Sequence, residues 1–306
     1  MSLPTVDVLI PTTGPAASLA ATLASLANQR YPSFRVTALE TDLAGAEAVQ
    51  LVGLVRVLEA RGHATRFVAA RTPALAVGRA QALLGHADAE YVLVVDDGVF
   101  LEADLMGRLV AAIRASGSAF VGSSVVDLRF RDEHRPEEEA IEFWDGPVRP
   151  EEIGVGTEGW ARRKVHRGAN LQHLRERLPR TRDRLYHVAD IAGCVLYDTA
   201  KLRHVGGFRP PRDRGRWSSV PPTSASATQL RLLQRYGGAG LFPSGAYRLL
   251  PVDAEASSSP ALASSSFAGD GVGTRRRRRG RHSRMTRGQH AGTPGMRGAR
   301  RGGPVA

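Results

Sequence analysis

Tyr91-Val92-Leu93-Val94-Val95-Asp96-Asp97-Gly98 decides how the rest of the chain is read. Five consecutive apolar residues without a polar alternate describe a strand buried on both faces, which is the pattern of a parallel sheet covered by helices. The strand then stops on two acids and a glycine. Upstream, Val6-Asp7-Val8-Leu9-Ile10 is a second β-rich run, ended by Pro11. Residues 15–29 carry Leu19, Leu23 and Leu26 at helical spacing, and Tyr31-Pro32-Ser33 breaks that helix. Phe34 to Leu39 predicts a strand, 44–61 a helix, Thr65 to Ala69 a strand and 74–86 a helix. Downstream, Leu101, Leu105, Leu109 and Ile113 predict another helix. Strand–helix alternation of this kind gives an α/β fold with a mostly parallel sheet flanked by helices. Ligands in such sheets bind beyond the carboxyl ends of the strands. The residues to examine are therefore Pro11-Thr12-Thr13, Glu40-Thr41-Asp42 and Asp96-Asp97-Gly98.

Two adjacent carboxylates directly after a buried strand face a desolvation cost unless a cation or a hydrogen-bond donor meets them. Gly98 permits a sharp turn that brings both into one cleft. Hard oxygen donors of this type suit Mg²⁺ or Mn²⁺, and such an ion clamps a diphosphate. A solvated turn or a helix N-terminus accounts for the same two aspartates, and the spacing alone does not choose.

Composition narrows the class. The chain has 306 residues, 42 Lys+Arg against 30 Asp+Glu, and 42% hydrophobic residues, enough for a sizeable buried core. The net charge of +12 is unevenly spread. Residues 251–306 hold eleven arginines against Asp253, Glu255 and Asp270, a net +8, which leaves +4 for residues 1–250. That tail, with Arg275-Arg276-Arg277-Arg278-Arg279 among Ser, Gly and Pro, reads as disordered. No aromatic interleaves its arginines, so no specific nucleic-acid partner is expected; the tail reads either as an unselected basic extension or as a weak peripheral contact with an acidic membrane surface. One cysteine, Cys194, excludes a disulfide framework and a Cys-rich zinc site. Apolar runs are far below the ~18 residues that cross a bilayer. Met1-Ser2-Leu3-Pro4 lacks a basic n-region, so the expected location is cytoplasmic.

Four segments carry a resemblance. Val6 to Thr12, followed by Leu23-Ala24-Ser25-Leu26-Ala27-Asn28-Gln29-Arg30-Tyr31-Pro32, looks like the opening of the family-two glycosyltransferases, which have the GT-A fold. Gly78-Arg79-Ala80-Gln81 is similar to that family's Ala-Arg-Asn segment. Ala89 to Val99 resembles the strand bearing its metal-binding Asp-x-Asp. Ile191-Ala192-Gly193-Cys194-Val195-Leu196-Tyr197, followed by Val205-Gly206-Gly207-Phe208, matches the acceptor-side segment. The resemblance, to an actinobacterial type, implies a Rossmann-like nucleotide-sugar half over 1–128, an acceptor half over 129–250 with a long charged insertion, and the tail 251–306. It implies an inverting, metal-assisted transfer from a nucleotide-diphospho-sugar donor to an acceptor hydroxyl on a glycan, a lipid-linked molecule or a small molecule. Pro11, Thr12, Glu40, Arg79, Asp96 and Asp97 would then bind donor. Asp96 and Asp97 would hold Mg or Mn, and Gly193 and Trp144 would lie on the acceptor side.

The chain departs from the family in three places. Gly98 stands where the second aspartate of Asp-x-Asp belongs. Thr223-Ser224-Ala225-Ser226-Ala227-Thr228 replaces the Glu-Asp pair that supplies the general base, and neither Ser nor Thr has a suitable pKa. Arg248 stands where a metal-binding His often lies. Residues 209–228 read as a damaged or frame-shifted stretch, so the alternative is a catalytically impaired GT-A-fold protein that binds donor without turnover. Asp190 and Asp213 are nearby acids without the family's context. In residues 129–170, Glu138 and Glu142 read as a solvated face, and Trp144 and Trp160 suit either sugar stacking or packing. His166, His173 and His187 lack metal-ligand spacing, and Cys194 reads as a packed small residue.

Overall fold

The alternating pattern of the first hundred residues forms the centre of an eight-stranded sheet. The computed structural model describes residues 3–40, 46–69, 76–138, 141–154, 156–178, 182–209 and 225–249. Thr41, Asp42, Asp213, most of the 209–228 stretch and the basic tail lie outside them. In chain order, β1 (Val6–Ile10), α1 (Ala16–Ala27), β2 (Phe34–Leu39), α2 (Ala46–Ala60), β3 (Thr65–Val68), α3 (Ala76–Leu84) and β4 (Tyr91–Val95) follow the expected elements. Next come β5 (Val99–Leu101) and α4 (Leu105–Ser116), then β6 (Phe120–Gly122) and β7 (Val125–Asp127). The charged middle section holds 3-10 turns, including one over Glu158–His166, and α5 (Asn170–Arg177). The last part contributes β8 (Arg184–Tyr186), β9 (Cys194–Asp198), α6 (Thr199–His204), α7 (Ala225–Tyr236), β10 (Ala239–Phe242) and β11 (Ala246–Arg248).

The strand order is β3-β2-β1-β4-β9-β6-β10-β8. Six strands share one direction; β9 and β8 run against them. Register is set by apolar partners, Val8 opposite Leu93 and Val92 opposite Tyr197. Side chains alternate across a strand, so each run of apolar residues feeds two cores. Leu93 and Val95 pack with α1, α2 and α4 on one face, whereas Val92 packs with α3, α6 and α7 on the other. That two-sided demand is why β4 has no polar alternate. Strands on both sides of residue 128 share this sheet, so the two halves named above meet within it.

One expectation needs correction. Leu101 was assigned to the helix with Leu105, Leu109 and Ile113, but it closes β5, and the helix starts at Leu105. Gly98, at φ +78°, reverses the chain after β4. The next three residues then pair with β11 in a separate small sheet of order β5-β11-β7. A three-residue strand leaves too little periodicity to be seen beside a strong helical repeat.

Candidate functional site

The turn after β4 is held by backbone from three directions. The Asp96 N–H donates to the Gly193 carbonyl at 2.9 Å, and the Gly98 N–H donates to Ser18 in α1 at 2.9 Å. The Gly98 carbonyl accepts from the Leu249 N–H at 3.0 Å. Successive side chains leaving a strand point to opposite sides, so Asp96 and Asp97 part company. Asp97 is 7% exposed. Its carboxylate accepts from the Thr13 N–H (3.1 Å), the Gly14 N–H (2.6 Å) and the Thr13 hydroxyl (3.2 Å). It fastens the loop leading into α1, a helix whose N-cap, Pro15, offers no side-chain acceptor. The expectation that both acids enter one cleft is met by Asp96 alone.

Asp96 faces a cavity of about 290 Å³ that also receives Pro11 from the end of β1. Across it stand Ile191 and Gly193 before β9, Tyr197 within β9, and Ser226 and Gln229 in α7. The Asp96 side chain keeps 45% of its surface open. That surface looks into a space walled by protein, and the loss of hydration there raises its pKa above the ordinary carboxylate range. Arg248 opposes this, with its Nη2 3.7 Å from Asp96 Oδ2, while the negative charge of Asp97 reinforces it. Gly193 sits at φ +85°, and a Cβ there would come within 2.4 Å of Val125 Cγ2, so both its backbone conformation and its close approach to β7 need glycine. Cys194 is fully buried behind it, and burial pushes its thiol pKa up; it is a packing residue, as expected.

The wall opposite β4 is tied by side chains. Gln229 receives the Ile191 N–H at 2.8 Å, donates to the Ile191 carbonyl at 2.7 Å and donates to the Tyr197 hydroxyl at 2.9 Å. Ser226 donates to Asp190, whose other oxygen accepts from Arg163 at 2.7 Å. Arg163 in turn lies over the Trp160 ring at 4.6 Å. The ring nitrogens of the half-buried His166 are covered beside this group, and desolvation pulls its pKa down to about 4.

The remaining expected residues fall in several places. The Arg79 guanidinium, on α3, bonds the Thr12 carbonyl at the end of β1, close to Pro11. The Thr12 hydroxyl is turned back onto the Ile10 carbonyl. Glu40 is exposed after β2 and lines a different groove, formed with α2 and Phe67 of β3. Trp144 lies at the β8 edge, where its N–H bonds Leu185 and its ring stacks on His187 at 3.7 Å. Three strand spacings, about 14 Å, separate β8 from β9 and hence from Gly193. Glu142 pairs with Arg162 on the surface as expected, whereas Glu138, its side chain 10% exposed, is largely covered between Arg135 and Arg167 and is not on a solvated face.

The donor set does not fit a divalent cation. Among the described residues no group of three or more His, Cys, Asp and Glu side chains is placed to hold one. Asp97 is committed to N–H groups, Gly98 offers no side chain, and the lone carboxylate Asp96 already faces a guanidinium. Among the described residues no helix is long and apolar enough to cross a membrane.

Sequence reasoning noted Arg248 and Ser226 only as departures and did not single out Gln229 or Tyr197. Gln229 had a visible signal: it is a polar residue on the buried side of a helix whose neighbours Ala227, Leu230 and Leu233 form the apolar stripe.

No protein-family model and no curated protein matches the sequence. The solved structures similar to the chain include the following two. One is residues 1–349 of TarS from S. aureus, 15% identical with a TM-score of 0.48, over 79% of this chain and 60% of that one. The other is the mannosyltransferase PcManGT from Pyrobaculum calidifontis in complex with GDP-Man and Mn²⁺, 16% identical with a TM-score of 0.47, over 78% of this chain and 57% of that one. The chain thus spans about three fifths of the length of these structures.

Proposed function

We propose that the cleft takes a nucleoside-diphosphate sugar and that the chain is a GT-A-type glycosyltransferase, moving the sugar to an acceptor hydroxyl with inversion. The observation that carries this reading is the half-open Asp96, held at the carboxyl end of a parallel strand beside Pro11 and facing a cavity. That is the crevice in which open α/β sheets bind ligands. Asp96 suits the donor's ribose hydroxyls, because a carboxylate accepts two hydrogen bonds at fixed geometry. Arg79, whose guanidinium reaches from α3 to the end of β1, suits the diphosphate. Ile191, Gly193 and Ser226 form the wall available to the acceptor.

Inversion needs a group that takes the acceptor's proton. Asp190 stands behind the lining Ser226, and its oxygens are already taken by Ser226 and by Arg163 at 2.7 Å, so it is not free to meet an acceptor hydroxyl. This favours a second reading, a GT-A-fold protein that binds donor without turning it over. Calorimetric titration with UDP-GlcNAc and GDP-mannose, followed by measurement of released nucleoside diphosphate, separates the two. Binding with release supports the transferase. Binding without release supports the second reading. If neither nucleotide sugar binds, both readings fall.

A further inference from the structure

We infer that Arg248 does in this cleft what a divalent cation would otherwise do: it carries the positive charge that meets the donor's diphosphate, so nucleotide affinity is independent of Mg²⁺ and Mn²⁺. The inference rests on the nucleotide-sugar reading above and adds to it the identity of the counter-charge. A diphosphate brought next to Asp96 meets a carboxylate, and without a cation at that spot the two repel. The described residues offer no cluster of oxygen donors for a metal ion there, but they do offer a guanidinium. Arg248 leaves β11 with its side chain 16% exposed and its Nη2 3.7 Å from Asp96 Oδ2, too far for a hydrogen bond. Its Nη1 is buried and has no hydrogen-bond partner.

A buried guanidinium nitrogen without an acceptor carries an uncompensated desolvation cost. Phosphate oxygens, like those of a carboxylate, have the spacing that matches the guanidinium fork, and of these the donor carries phosphate. Arg79 adds a second such group: its guanidinium is anchored on the Thr12 carbonyl, and its buried Nε also lacks a partner. A divalent ion seated on Asp96 would have to sit beside the Arg248 charge, and like charges at that range repel. Arg248 therefore both supplies the cation and discourages the metal.

The test measures binding of UDP, GDP and uridine by calorimetry, in EDTA and then in saturating MnCl₂. Wild-type protein is expected to bind at least one of the two nucleotides with the same Kd, within about twofold, under both conditions. Arg248→Gln is expected to weaken that nucleotide by about tenfold or more in EDTA, the loss of one charge-assisted contact. Arg248→Lys, which keeps the charge but not the fork, is expected to lose less. Uridine, which has no diphosphate, is expected to bind wild type and Arg248→Gln alike if it binds. Manganese that tightens wild-type nucleotide binding by about tenfold overturns the inference, and this arm needs no variant. Arg248→Gln that binds UDP and GDP as wild type does also overturns it. If neither nucleotide binds in either condition, the nucleotide-sugar reading itself is what has failed, and the inference goes with it.

Discussion

The two walls of the Asp96 cleft are built by different means. On one side, β1, β4 and α1 meet through parallel register and backbone hydrogen bonds, and one carboxylate, Asp97, closes the remaining gap onto Thr13 and Gly14. On the other side, the segment before β9 has no strand partner at Ile191, and Gln229 reaches across from α7 to hold it. The first wall is a continuation of the sheet. The second is a loop in which the Gly193 carbonyl meets the Asp96 N–H, while the buried Ile191 N–H and carbonyl are both satisfied by one side chain far away in sequence. A buried residue of that kind depends on its side-chain partner to meet its N–H and C=O groups.

Gln229→Leu should therefore be the most damaging change in the cleft. It keeps the volume but removes three buried hydrogen bonds, leaving the Ile191 N–H and carbonyl unpaired behind the cavity. We expect a loss of about 4 kcal/mol of unfolding free energy, from two or three unsatisfied buried groups at ~1–3 kcal/mol each. Denaturant melts of the variant measure it. A loss under about 1 kcal/mol would show that the second wall is held as redundantly as the first, and the contrast between the walls would disappear.

His166 sharpens the same contrast through pH. It lies beside Asp190 and Arg163, in the support of the second wall, and its folded pKa is near 4. The unfolded chain takes up that proton near the ordinary value of ~6.5. Between those values the unfolded state binds more protons than the folded one, so stability rises with pH there and is lost as pH falls from about 6.5 toward 4. The full loss attributable to this residue is about 3 kcal/mol, at ~1.4 kcal/mol per unit. His166→Phe should flatten that part of the stability–pH curve relative to wild type. Equal slopes in the two proteins would mean that His166 reaches water and that the second wall is looser than its burial indicates.

The first wall could be read before any coordinates because its logic is local. The unbroken apolar run of β4 and the leucines of α1 at helical spacing are visible in consecutive residues. Pro11 and Asp96 stood out for the same reason, since each follows the end of a regular run, whereas Gly193 was flagged only through the family resemblance. Glu40 also ends a strand, yet it opens on another groove, because the carboxyl edge of a sheet is wide and sequence does not say which strand ends share a cavity. Trp144 was misplaced relative to Gly193 because strand order is non-sequential: β8 precedes β9 in the chain but sits three strands away. The short β5, β7 and β11 carry too few residues to show a period, and so Arg248 was seen as a substitution and not as the neighbour of Asp96.

The smallest effects come from the pair Asp96 and Asp97, adjacent residues whose fates divide the site from its scaffold. Asp97→Asn keeps the shape but replaces a charged acceptor of two N–H groups by an amide with one oxygen. The charge-assisted part of those bonds is worth about 2 kcal/mol, and that is the destabilisation expected. Asp96→Asn removes a carboxyl whose loss of hydration already disfavours its charged form, but it also takes a partner from Arg248. The Asp96 side chain is 45% open, so both contributions are screened and they oppose each other. The net change should lie within about 1 kcal/mol in either direction, while nucleotide binding falls. The same chemical substitution at consecutive positions would then cost folding at one and function at the other. Melting both variants beside a nucleotide titration checks this, and a large stability loss at Asp96 with none at Asp97 would reverse their assignment.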